Sequence, residues 1–318
     1  MPRTIMGYVI RFTGVHQIGL ALLSVAVFLL SAVPLELQRR IVNDVIGKGT
    51  FRTLFWLAVT YGLVALTEQS LKLVLNVYRG WVAESTVRRL RNGVRGVGVA
   101  SDLASGSHAD TGVEVAMILE EAEPIGGFAG LSISEPLLQG GILASVIGYM
   151  FYIESELALL GLAFFVPQMV FVPLLQFAIN RRAEARILTK REISGTIVEG
   201  AFPEGHALEG APIQRVFELN MGIYKLKYSM NLLMNLMHHL AVAVALCVGG
   251  WLAIEGRIEV GTVVAIVGGL GKLNDPWGDL VNWAREFSVV GVKYRLFADA
   301  ANRLASTMRE RPVAALTD

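Results

Sequence analysis

Six apolar runs organise the chain, at residues 18–35, 54–78, 137–153, 157–179, 232–254 and 260 to about 290, with polar stretches between them. A bilayer core takes about 20 apolar residues in a helix. It tolerates no unpaired backbone group, so each run predicts a membrane-spanning helix. The last run is too long for one crossing, and its C-terminal part is expected to emerge into water. Ahead of the first run, Tyr8, Val9, Ile10 and Phe12 beside Arg3 and Arg11 predict a short amphipathic helix at the interface, within an N-terminal segment 1–17. The first run is long and lacks an A-x-A cleavage site, which fits a retained helix better than a secretory signal.

The polar stretches measure 18, 58, 3, 52 and 5 residues, so the long ones fall on one side. That side, with both termini, holds 20 Lys and Arg, against 5 on the other. The positive-inside rule then places both termini and both long loops in the cytoplasm of a multi-pass inner-membrane protein. Arg39 and Arg40 count against this assignment and are outweighed. Both long loops read as helix: RRAEARILTKREISGTIVE at 181–199 mixes strong helix formers with charges of both signs and has no proline. Some 20 extra residues would carry each hairpin on the order of 30 Å below the membrane. The pattern breaks at 104–112 and 200–206, the natural hairpin tips.

Composition agrees with a membrane protein. Hydrophobic residues make up 53% of the 318 positions and charged residues 17%, with a mean hydropathy of +0.53. A net charge of +1 gives no argument for a nucleic-acid partner. The single cysteine, Cys247, excludes an internal disulfide and a CxxC pair, and reads as a small buried hydrophobe.

Enzyme chemistry finds little support. Gly271-Lys272 is followed by Leu273, with Ile at 266, so it is no phosphate-cradling G-x-x-x-x-G-K-[ST] loop. Gly93-x-x-Gly96-x-Gly98 has the wrong order for a dinucleotide fingerprint. There is no H-E-x-x-H and no nucleophile elbow, and no catalytic residue or metal site is expected.

Polar residues inside spans are costly and mark functional candidates. Lys272, Asp275, Asp279, Asn282 and Glu286 recur at intervals of three and four in the sixth run, which predicts one helical stripe. It would line a water-filled translocation pathway or meet a partner at the dimer axis; the alternative is a solvated lower half, leaving Lys272 and Asp275 as the deeper pair. Glu68 and Lys72 are spaced to neutralise each other, as a structural pair or in the pathway. Asn235 and His238 in the fifth run, beside Asn231 and His239, are candidates for cavity lining or interhelical hydrogen bonding. Adjacent histidines diverge on a helix, so these make a poor metal site. Met230, Met234 and Met237 read as packing. Arg88, Arg89, Arg91 and Arg95 suit anionic headgroups or salt bridges within the bundle.

Six spans, short outer loops and two long inner hairpins resemble the transmembrane domain of an ABC exporter. Pro34-Leu-Glu-Leu-Gln-Arg-Arg-Ile-Val-Asn-Asp44 is similar to the end of that family's first helix. Thr111-Gly112 with Glu120 and Glu121 resembles its first coupling region, and the segment 199–217 its second, although Pro203 and the spacing from Glu199 to Gly205 are wider than usual. Val260-Gly-Thr-Val-Val-Ala265, Pro276 and Arg295-Leu-Phe297 are similar to its sixth helix and exit.

The resemblance implies an all-α type-1 exporter fold over 18–305, with 306–318 a tail. It also implies a permease that binds no cofactor itself, pairs as a two-fold dimer and is powered by separate nucleotide-binding ATPase subunits holding ATP and Mg. Ser107, His108, Asp110, Thr111 and Gly112 at one tip, and Glu204, Gly205 and His206 at the other, would dock on those subunits. No nucleotide-binding domain is expected in these residues. Two rival readings are a proton-coupled transporter on the same fold, relaying through Asp275, Asp279, Glu68 and His238, and a non-transporting scaffold. A truncated half-transporter is a third.

Overall fold

Four prolines set the helix boundaries that hydropathy alone misplaces. The structure, a computed structural model, describes residues 2, 4–47, 49–105, 122–198 and 211–309, and among these it contains helices and no strand. In chain order the helices are α1 (Ile5–Ser31), α2 (Val33–Ile46), α3 (Phe51–Ser105), α4 (Ala122–Leu131), α5 (Ser134–Ile153), α6 (Ser155–Ala163), α7 (Val166–Val198), α8 (Ala211–Ile254), α9 (Val260–Gly271) and α10 (Asn274–Arg309). Pro34, Pro136, Pro167 and Pro276 each stand at the second or third residue of a helix, namely α2, α5, α7 and α10. A proline there needs no N–H partner, but its ring opposes the carbonyl four residues back, so the preceding helix stops. Pro173 alone is carried inside a helix, α7.

Five stretches are long and apolar enough to cross a membrane: Ile5–Ile46, Phe51–Gly93, Ala122–Ile153, Ser155–Lys190 and Pro212–Ile254. The sixth expected span is not a single helix. Pro276 opposes the Lys272 carbonyl, α9 ends at Gly271, and Lys272 caps it with its N–H on Gly269 and Leu270. The N-terminal segment also differs from expectation. Thr4 caps α1 by accepting from the Gly7 amide, and the helix then runs unbroken from Ile5 into the first span.

The chain divides into two units, residues Met1–Tyr149 with Asp275–Asp318, and Met150–Asn274. In the first, α3 packs along α1, α2 and α4. Its core gathers Tyr8 and Val9 of α1, Val87 and Leu90 of α3, Ile125 and Phe128 of α4, and Tyr294 and Phe297 of α10. This is why Tyr8 and Val9 are buried rather than spread on an interface. The Tyr294 hydroxyl donates to the Pro2 carbonyl at 2.9 Å, and burial, with Tyr8 beside it, pushes its pKa up to about 12. It therefore stays a neutral donor at any physiological pH.

Apolar contact gains little where lipid is the alternative, so helices in a bilayer associate through close backbone approach and polar bonds. Both devices are present. Gly126 and Gly130 of α4 let that helix meet the α3 backbone at Arg79, Ala83 and Val87. Gln17 donates to the Ala129 carbonyl at 2.8 Å, Ser24 to the Ser134 carbonyl at 3.2 Å and Ser145 to the Phe28 carbonyl at 3.3 Å, tying α1 to α4 and α5.

In the second unit α8 is the spine, with α6, α7 and α9 packed on it. Gly249 brings α8 against Leu157 and Val263, and Arg186 of α7 donates to Asn220 of α8 at 3.2 Å. Cys247 is exposed on α8 rather than buried, since the packed face of that helix runs through Ala241, Ala245 and Gly249.

Candidate functional site

A buried arginine at position 79 organises the most elaborate polar network among the described residues. Counting charges along the sequence puts Arg79 in a loop, one residue past the second apolar run. Nothing breaks the helix there, and α3 continues through it, leaving the side chain 7% exposed. Its Nε donates to the Ser134 hydroxyl at 2.8 Å, and Nη1 pairs with Glu135 at 2.5 Å. Gln139, one turn further along α5, donates through Nε2 to Glu135 at 2.8 Å and to Asp279 of α10 at 2.9 Å. One cation and one amide thus hold two carboxylates and join α3, α5 and α10. Arg79 Nη2 is buried with no acceptor among the described residues.

Of the residues singled out from sequence, Asp279 alone enters this network. Asp275, Asn282 and Glu286 share α10 with it, while Lys272 caps α9 in the other unit, so the five-residue stripe is not one helix face. The sequence could have supplied Arg79 and Glu135. The second run ends at Tyr78 and the third begins at Leu137, on the same side, so a cation at 79 and a carboxylate at 135 lie level in neighbouring helices.

Glu68 and Lys72 pair at 2.7 Å within α3, with Glu68 only 6% exposed. This is the local pair their spacing implies. Asn235 is exposed on α8, and His238, half-buried, has its ring 5.5 Å from that of His239 and near Gly271. Met230, Met234 and Met237 are half-buried on the same helix. No three His, Cys, Asp or Glu groups come together among the described residues. Ser107, His108, Asp110, Thr111, Gly112, Glu204, Gly205 and His206 lie outside the described residues.

A second network sits on α2, past the first apolar run. Glu36 accepts from Arg39 at 2.9 Å, from Arg40 at 2.6 Å and from the Tyr149 hydroxyl at 2.7 Å. Both arginines that counted against the orientation thus share one carboxylate on their own helix. Bonds to a charged group contribute about 1.5 to 3 kcal/mol when desolvated. Tyr149→Phe is expected to lower stability by about 1 to 2 kcal/mol, read as a drop in thermal unfolding temperature in detergent. An unchanged temperature would mean that this bond holds α2 and α5 together no better than water does.

These features define a multi-pass helical membrane protein with charged networks tying its spans, and no reaction centre among the described residues. Residues 17–201 match the ABC transporter transmembrane region. That is more than half of the chain, which belongs to this family and is the membrane component of an ABC transporter. Such a region is not itself catalytic. No curated protein matches the chain.

Proposed function

We propose that the chain is the permease subunit of an exporter-type ABC transporter of the inner membrane, working as a homodimer and powered by ATPase subunits on a separate polypeptide. The family match over residues 17–201 carries this reading. Helix length supports the exporter type. α3 has 55 residues and α8 has 44, roughly 80 and 65 Å of helix against a hydrocarbon core of about 30 Å. Each reaches well past the bilayer, toward the segments 107–112 and 204–206. Charge placement, at 20 Lys and Arg against 5, supports a cytoplasmic location for those ends.

In this mechanism, ATP-driven closure of the partner subunits moves the two tips, and the long helices act as levers. The helices alternate between inward-facing and outward-facing packings, and the cargo's different affinity for each gives direction. The Arg79–Glu135–Gln139–Asp279 network suits the role of a bistable latch, because its bonds are made or broken together as α3, α5 and α10 separate. The apolar windows of the spans are mostly uncovered within one chain, that of the second span almost wholly so, which leaves surface for lipid and for a second copy.

The test is affinity purification of the tagged full-length chain in mild detergent, with identification of co-purifying proteins and an ATPase assay. A stoichiometric ATPase, lost on Gly112→Pro or Gly205→Pro, is the expected result. A pure, ATP-inert dimer would overturn the split-transporter reading. Proton-coupled uptake would then be examined with Asp275→Asn and Glu68→Gln variants.

A further inference from the structure

A groove of about 330 Å³ opens between α1 and α3, well apart from the Arg79 network in its chemistry. Its walls change character along the helix axis. At one end His16 stands beside Trp81; at the other, Phe12 and Tyr8 stand beside Arg89, with Arg88 next to it on α3. On α3, Val77, Trp81, Ser85, Arg88 and Asn92 follow at intervals of three and four, so one stripe runs from exposed apolar to basic. Trp81 and Arg88 are two turns apart, about 10 Å.

The aromatic end is tightly built. His16 Nδ1 and the Tyr78 hydroxyl lie 2.9 Å apart, and the His16 and Trp81 rings are 5.0 Å apart, edge to face. Tyr and Trp clusters of this kind mark the level where hydrocarbon meets headgroups. Beside them Val15, Ile18 and Val77 are exposed, as lipid-facing residues are. At the basic end the Arg89 guanidinium lies 5.4 Å from the centre of the Phe12 ring and donates to the Phe12 carbonyl at 3.2 Å, which holds it in place. Arg11 approaches the same ring at 5.9 Å. No carboxylate lines the groove, and neither Arg88 nor Arg89 makes an ion pair among the described residues.

We propose that this groove binds an anionic phospholipid, its phosphate held by Arg88 and Arg89 and its acyl chains passing over Trp81 and Val77. Arg88 and Arg89 diverge at their Cα atoms as neighbours on a helix do, but both line this groove, and a phosphate accepts bidentate bonds from arginine. A water-soluble phosphate would use only the basic end. The aromatic wall and the exposed apolar stripe continuous with it select the lipid.

The experiment is native mass spectrometry of the full-length chain in detergent, titrated with dioleoyl phosphatidylglycerol, dioleoyl phosphatidylcholine or inorganic phosphate. Phosphatidylglycerol is expected to bind at least about tenfold more tightly than phosphatidylcholine, consistent with two basic groups near an anionic headgroup. Arg88→Gln and Arg89→Gln should each abolish most of that preference, while Arg52→Gln, on the same helix but far from the groove, should leave it intact. Arg88 is exposed and makes no ion pair or hydrogen bond among the described residues, so the Arg88→Gln variant tests the site even if Arg89→Gln fails to fold. Equal binding of the two lipids, or a preference indifferent to Arg88→Gln, would overturn the proposal. Displacement of phosphatidylglycerol by millimolar inorganic phosphate would overturn it too, and assign the groove to a soluble anion.

Discussion

Gly130→Leu is expected to cost about 3 kcal/mol or more, and to yield a chain that aggregates in detergent or unfolds well below the parent's temperature. A Cβ at position 130 would stand 2.5 Å from the Arg79 carbonyl oxygen and 3.3 Å from the Ala83 Cβ. Backbone cannot swing aside as a side chain can, so the two helices must part. Overpacking of this kind costs about 1 to 3 kcal/mol even where side chains can yield. The seam lies beside the Arg79 network, so opening it also stretches the bonds to Ser134 and Glu135. Gly127 supplies the control. It shares the helix, a Cβ there meets nothing within 4 Å, and Gly127→Leu should be near neutral in the same thermal scan. Leucine favours helix over glycine at both positions, so equal losses at 127 and 130 would mean that the close approach at Gly130 does not govern this region.

What could be read from the sequence was local, and what was missed depends on elements far apart in the chain. Glu68 and Lys72 were legible as a pair because one turn of helix fixes their separation. The apolar runs located five crossing stretches, because lipid demands apolar residues whatever the packing. Helix ends were poorly placed, since hydropathy runs straight through Pro34, Pro167 and Pro276, whose effect on the chain is steric. Hence the sixth run, continuous in hydropathy, is two helices, and the stripe from Lys272 to Glu286 is interrupted at its first member. Hydropathy alone puts Arg79 in a loop, because the apolar run stops one residue before it. Its burial depends on Glu135 and Gln139, some 55 positions or more away, and no window along α3 contains them. Tyr8 and Val9 have the pattern of an interfacial helix, yet α10 returns from the far end of the chain to cover them with Tyr294 and Phe297.

Arg79→Met is expected to be the most damaging single change in the polar network, at about 2 to 4 kcal/mol, because it leaves the half-buried Glu135 carboxylate without its cation. Methionine has room where the arginine stem lay, so the loss comes from the charge rather than from a cavity. Glu135 and Asp279 would then face each other through Gln139 with no positive group between them. The pairwise part can be separated. If Glu135 is the partner that matters, Glu135→Gln in the Arg79→Met background should restore most of the lost stability, giving a coupling of about 1 to 3 kcal/mol in a double-mutant cycle. Arg79→Lys should fall between, since an ammonium keeps the charge but cannot serve Ser134 and Glu135 from one planar fork. Thermal unfolding in detergent reads the parent, Arg79→Met, Glu135→Gln, the double variant and Arg79→Lys. Additive losses at 79 and 135 would show that the arginine is held by the α3–α4 seam rather than by its ion pair, and the latch role would fall with it.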